Sequence, residues 1–152
     1  MRRTGSLGCG AAQIGFKESV RMSEEYKIVD IWIGSFSNEA ALAEYLAETY
    51  SDDDSVPISP LAADMGEQFY DHDFLEHSFH EASSSDVPSC LKPHSFSSSY
   101  AAAAARAFEA ALIPGFNTIL LVWAEQFRNP ASIRSEGYWL HYLGRFECDT
   151  SA

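Results

Sequence analysis

The spacing of apolar positions changes several times along the chain, and each change marks an element. Between Lys27 and Phe36, the residues Ile28, Val29, Ile31, Trp32 and Ile33 are β-branched or aromatic and Gly34 follows, which predicts a strand. Both of its faces are apolar, so it belongs in the middle of a sheet. From Ser37 to about Tyr50 the period lengthens. Leu42, Tyr45, Leu46 and Tyr50 recur at helical spacing, with Ser37 as a cap and Glu39 near the positive end of the helix dipole. Ser51 to Pro60 reads as a loop, and Leu61 to Met65 as one helical turn stopped by Gly66.

Phe69 to about Ala82 reads as a second helix, and Ser83 to Lys92 as a loop rich in serine. Ser97 to Ile113 holds the alanine run Ala101 to Ala105, the strongest helix propensity available, with the serines before Tyr100 as caps and Pro114-Gly115 as the stop. Asn117 to Phe127 and Gly137 to Cys148 read as strands, and their connection predicts an antiparallel hairpin with a long loop. The order is β-α-(α)-α-β-β. It predicts an α+β fold, a small antiparallel or mixed sheet with helices packed on one face.

At 152 residues the chain is one domain with a tail. Residues 1–21 lack sustained periodicity, and Met22 stands just before the first strand. We expect 1–21 to be a flexible tail or an extension ahead of the true start, and 22–152 to be the domain. Arg2-Arg3 and Leu7-Gly8-Cys9 resemble a leader, but the apolar stretch of about 7–15 residues that a leader needs is missing. No apolar run is long enough for a membrane span. Cys9, Cys90 and Cys148 are odd in number and unrelated in spacing, which predicts reduced thiols in a cytoplasm.

Charge changes the picture most. From Ile28 to Leu91 there is no lysine or arginine, yet fourteen carboxylates: Asp30, Glu39, Glu44, Glu48, Asp52, Asp53, Asp54, Asp64, Glu67, Asp71, Asp73, Glu76, Glu81 and Asp86. The chain as a whole carries −12, so the rest of it is slightly basic. Such self-repulsion opposes compaction and calls for a reason. It argues against nucleic acid and anionic membranes as direct ligands and favours a basic protein surface.

Two constellations follow. In the first, Asp52, Asp53, Asp54, Asp64, Glu67, Tyr70, Asp71, Asp73 and Glu76 form a binding face for a basic partner, with Tyr50, Phe69 and Tyr70 as aromatic anchors among the charges. In the second, Asp73, Glu76, His77 and His80 fall at i, i+3, i+4 and i+7 on the predicted helix, a spacing that suits a divalent metal and hence a metal-dependent enzyme. No H-e-x-x-H type motif supports the metal, and the bland reading is the wet face of an amphipathic helix. Cys90 and His94 could act as nucleophile and base only if the fold brings them together. Otherwise Cys90 is inert, and no cofactor is expected.

Several ordered strings carry a resemblance. They are Ile31-Trp32-Ile33-Gly34-Ser35-Phe36 with Asn38 to Leu46, then Tyr70 to Glu76, then Asn117-Thr118-Ile119-Leu120-Leu121, then Tyr142 to Glu147. Together they resemble immunity protein family 22 of bacterial polymorphic toxin systems, from about Tyr26 to Cys148. The resemblance implies a cytoplasmic antitoxin that neutralises a cognate toxin, often a nuclease, by binding and without catalysis. It assigns no contact residues. A generic nucleic-acid mimic that inhibits several DNA-binding proteins is a third possibility.

Overall fold

The computed structural model describes residues 26–53 and 55–150. The expected tail, Cys9 and Asp54 lie outside the described residues. Five strands form one sheet in the order β2-β3-β1-β5-β4. They are β1 (Ile28–Phe36), β2 (Leu75–Ser84), β3 (Phe116–Trp123), β4 (Ile133–Ser135) and β5 (Tyr138–Glu147). Four α-helices accompany them: α1 (Glu39–Leu46), α2 (Pro60–Asp64), α3 (Val87–Leu91) and α4 (Ala101–Ala111).

β1 is the middle strand, as its two apolar faces require. Every strand pairing is antiparallel. β3 and β5 both pair with β1, so the expected hairpin between them does not form. β1 takes the central place and separates the two later strands. The hairpin at this end is β4–β5 instead, turned at Gly137 with φ +97°.

Alternation along β1 divides the interior. Val29, Ile31 and Ile33 enter a back core with Val87, Leu91, Ala104 and Phe108 of α3 and α4. Trp32 and Phe36 enter a front core with Leu42, Tyr45, Leu61 and Ala62 of α1 and α2. The α+β class and antiparallel sheet are as expected, but the helices cover both faces rather than one. An apolar strand set with two buried faces needs cover on each.

Local chemistry explains the boundaries. Asn38, not Ser37, caps α1, its Oδ1 accepting from Ala41 N–H at 2.8 Å. Ser59 caps α2 in the same way, and Gly66 ends that turn at φ +73°. Within the expected loop 83–92, Asp86 accepts from Ser89 N–H at 3.2 Å and starts α3. The serines before Tyr100 do not cap α4. They form a 3-10 turn, and α4 starts from Tyr100 with no side-chain cap.

The largest correction concerns Phe69 to Ala82. After a 3-10 turn at His72–Phe74 the chain is strand β2, paired with β3 from Leu75↔Val122 to Phe79↔Thr118. The polar residues fit helical spacing, but pairing with the very apolar β3 decides the outcome.

Candidate partner-binding face

Residues 47–73 run from α1 to β2 across the front of the molecule. Two backbone bonds set their layout. Thr49 N–H donates to the carbonyl of Ile58, and Ile58 N–H donates to the carbonyl of Gln68, each at 2.8 Å. Three stretches of loop therefore lie side by side, with Ile58 in the middle row and its side chain buried in the front core. Asp53 accepts from the N–H and the hydroxyl of Ser55 at 2.9 and 2.7 Å, and Val56 N–H closes the turn onto the Asp53 carbonyl.

Apolar side chains emerge from this loop base. Tyr50 is 75% exposed, Phe69 63% and Val56 47%. Among the described residues, Leu112, exposed to 87%, is the other large apolar residue so open, and it stands on the back side at the end of α4. Tyr50 is held: its hydroxyl donates to Glu48 Oε1 at 2.5 Å. Glu48 Oε2 lies 3.1 Å from His72 Nδ1, in ion-pair range but outside hydrogen-bond geometry.

The carboxylates singled out in the sequence divide sharply. Asp52, Asp53 and Asp73 are exposed and Asp71 is half-buried. Asp71 turns the backbone by accepting from Asp73 N–H at 3.1 Å. Glu67 accepts from the backbone N–H of Arg128 at 3.0 Å, with Arg128 Nε at 3.4 Å. Asp64 faces inward and takes the hydroxyls of Tyr45 and Tyr138 at 2.8 and 2.6 Å, tying α2 to α1 and β5. Tyr70 is 1% exposed and packs on Phe127, so it cannot serve as an anchor. Glu76 is 3% exposed and faces the back core beside Leu121, away from the loops. Glu48 and Val56 belong to the face but were not selected from the sequence. Val56 carried a signal, an apolar residue in an acidic loop.

Hydrogen bonds favour the ionised form of two loop carboxylates. The Ser55 hydroxyl and then its N–H hold the Asp53 carboxyl below its usual range. The Arg128 backbone does the same for Glu67 against a small cost of burial. Among the described residues, Arg128 is the cation that an ion pair ties to these loops. The buried Asp30 is cancelled in place by Arg145, so the field outside comes from the remaining carboxylates.

The proposed metal set does not assemble. On a strand, side chains alternate, so Glu76 and His80 point to one side of the sheet and His77 to the other. Glu76 Oε1 instead meets His94 Nδ1 at 3.0 Å and accepts from Ser95 N–H at 3.1 Å. The enzyme built on those four residues is thereby set aside. Among the described residues, ligand atoms of Asp71, His72 and Asp73 gather within 4.8 Å of one another, on a turn whose two later residues are exposed. His94 is committed to Glu76 and, through Nε2, to Ser78 Oγ at 3.2 Å, while the Cys90 thiol meets Ser84 at 3.5 Å. Cys90 and Cys148 are free and buried, and burial pushes the Cys148 thiol up to about 11.

A family model described as immunity protein 22 matches residues 29–149, most of the chain, and the chain belongs to that family. No curated protein and no solved structure matches it.

Proposed function

We propose that this member of the immunity protein 22 family is a cytoplasmic antitoxin whose acidic front loops dock on a cognate toxin with a basic surface, a nuclease of a polymorphic toxin system. Inhibition is by occupancy. A cleft that binds phosphate backbones is lined with cations, and carboxylates spread over a firm loop base complement it. The protein supplies no chemistry of its own in this role. Among the described residues no helix is long and apolar enough to cross a membrane.

One observation carries the reading. Exposed carboxylates of the cation-free segment, Asp52, Asp53 and Asp73, lie on the same loops as the exposed Tyr50, Val56 and Phe69, and these loops are fastened by the Thr49–Ile58 and Ile58–Gln68 bonds.

The test is co-expression with the toxin encoded beside this gene. Growth should be restored, and the two proteins should purify together at low salt. A toxin that kills regardless, with no complex recovered, would refute the proposal. Inhibition of many unrelated nucleases would replace a single partner with general nucleic-acid mimicry.

A further inference from the structure

We propose that Tyr50, Val56 and Phe69 are the energetic centre of the toxin contact, and that they seat in an apolar notch of the partner ringed by lysine or arginine. This rests on the antitoxin reading and deepens it. Carboxylates alone make a face that attracts many cations and chooses poorly among them. Exposed rigid aromatics at the centre of a charged rim are what hold a partner once it has arrived.

The geometry places the three together. Thr49 and Gln68 are the outer rows around Ile58, and two rows of extended chain span about 10 Å. Tyr50 and Phe69 directly follow Thr49 and Gln68, and Val56 stands on the turn leading into Ile58. The three backbone positions therefore stand on neighbouring rows of the same loop base.

The loops that carry the patch are also held before contact. Tyr50 is pinned through its hydroxyl to Glu48. Phe69 is followed by Tyr70, which is buried and packs edge-on against Phe127 at 5.3 Å between centroids. Loops fastened before contact lose less entropy on binding.

Charge decides the occupant. Glu48, Asp52, Asp53, Asp71 and Asp73 share these loops. A second copy of the chain would bring carboxylates against carboxylates, and nucleic acid or an anionic lipid surface would bring phosphates. A basic protein surface with a non-polar depression satisfies both the aromatics and the rim.

The experiment measures association and dissociation rates of the adjacent-gene toxin with the full chain. Four alanine variants are compared: Tyr50→Ala, Val56→Ala, Phe69→Ala and, from the back side, Leu112→Ala. All four positions are exposed, and thermal melts confirm folding. Phe69→Ala and Tyr50→Ala should each speed dissociation about tenfold or more, while changing association little. Leu112→Ala should match the parent. Replacing Asp52 and Asp53 together by asparagine should instead slow association at low salt. If the parent chain binds and the Tyr50 and Phe69 variants dissociate as slowly as it does, the centre lies elsewhere. That result overturns this inference while leaving the antitoxin reading intact. A parent chain that forms no complex overturns both.

Discussion

Asp30 and Arg145 face each other across the β1–β5 pairing, and the guanidinium grips the carboxylate with a fork. Nε meets one oxygen and Nη2 the other, each at 2.9 Å, while Tyr142 donates its hydroxyl to the first. Asp30 is completely buried, whereas the Arg145 side chain keeps 36% of its exposure. Replacing Arg145 by methionine strands a buried anion. The expected loss is about 2–4 kcal/mol in chemical denaturation, below the full value for a dry pair because water reaches the arginine. Replacing Asp30 by leucine in the same variant should recover much of it. If Arg145→Met unfolds at the parental denaturant concentration, the fork contributes nothing to stability.

Gly34 is required by space, not by backbone angle. A Cβ there would stand 2.2 Å from the Trp139 carbonyl oxygen and 2.8 Å from Leu140 Cδ2. The oxygen is part of the neighbouring strand and cannot turn away. Gly34→Ala should therefore push β5 from β1 and cost about 3 kcal/mol, at the upper end for an overpacked interior. Hydrogen exchange should quicken along Trp139 to Tyr142. Unchanged melting would mean that the strands give way freely.

The buried Glu76 carboxylate makes stability sensitive to acid. Burial acts most strongly on the Glu76 carboxyl and opposes ionisation, but bonds from His94 and Ser95 and the field of His94 outweigh it. The group stays ionised below its ordinary 4.5. A carboxyl with a lower pKa folded than unfolded stabilises the fold above the unfolded value, and this contribution drains away as pH falls through the folded one. Melting temperature should fall as pH drops below the ordinary 4.5 of the unfolded carboxyl. Glu76→Gln keeps an acceptor for Ser95 and His94, so it should lose about 1 kcal/mol at neutral pH and flatten the acid slope. Parallel pH profiles for the two proteins would assign the acid sensitivity to other carboxylates.

Much of this architecture could be read along the chain, and the failures share a cause. β1 announced its central position through Ile31, Trp32 and Ile33, and the Gly66 stop was plain. The segment from Asp73 to His80 misled because its polar residues line one stripe of a helix at a period of 3.6, whereas on a strand they are divided between both faces. Only contact with β3 distinguishes the two. Glu76 could not be recognised as buried, since His94 lies 18 positions away and Ser95 one further. The Asp30–Arg145 pair spans 115 positions. Carboxylates that find partners near in sequence, such as Asp53 with Ser55, stay on the surface where the sequence placed them. Asp30 and Glu76, whose partners are distant, vanish into the fold. Tyr50 and Phe69 were legible as apolar residues among charges, but Tyr70 follows Phe69 directly and points the other way.

Leu112 closes α4 in the left-handed region, at φ 59° and ψ 38°, with its side chain 87% exposed. A residue with a Cβ resists that conformation by about 1–2 kcal/mol, and glycine does not. Glycine also frees the unfolded chain, which offsets part of the gain. Leu112→Gly should stabilise by about 0.5–1 kcal/mol, read as a higher melting temperature. A lower one would mean that the exposed leucine packs on something its accessibility conceals.

Salt separates attraction at a distance from grip at contact. The front carboxylates are exposed and the Debye length is about 10 Å at 0.1 M salt, so raising ionic strength strips the long-range field first. Association with the toxin should slow by about ten- to a hundredfold between low and 0.5 M salt. Dissociation should hardly change, because the apolar contacts proposed for Tyr50 and Phe69 do not depend on ions. Stopped-flow mixing at several ionic strengths resolves the two rates. If dissociation carries the whole salt dependence, charge pairs buried in the contact hold the complex. The aromatic centre then has no special weight. If neither rate responds, the acidic loops face away from the toxin.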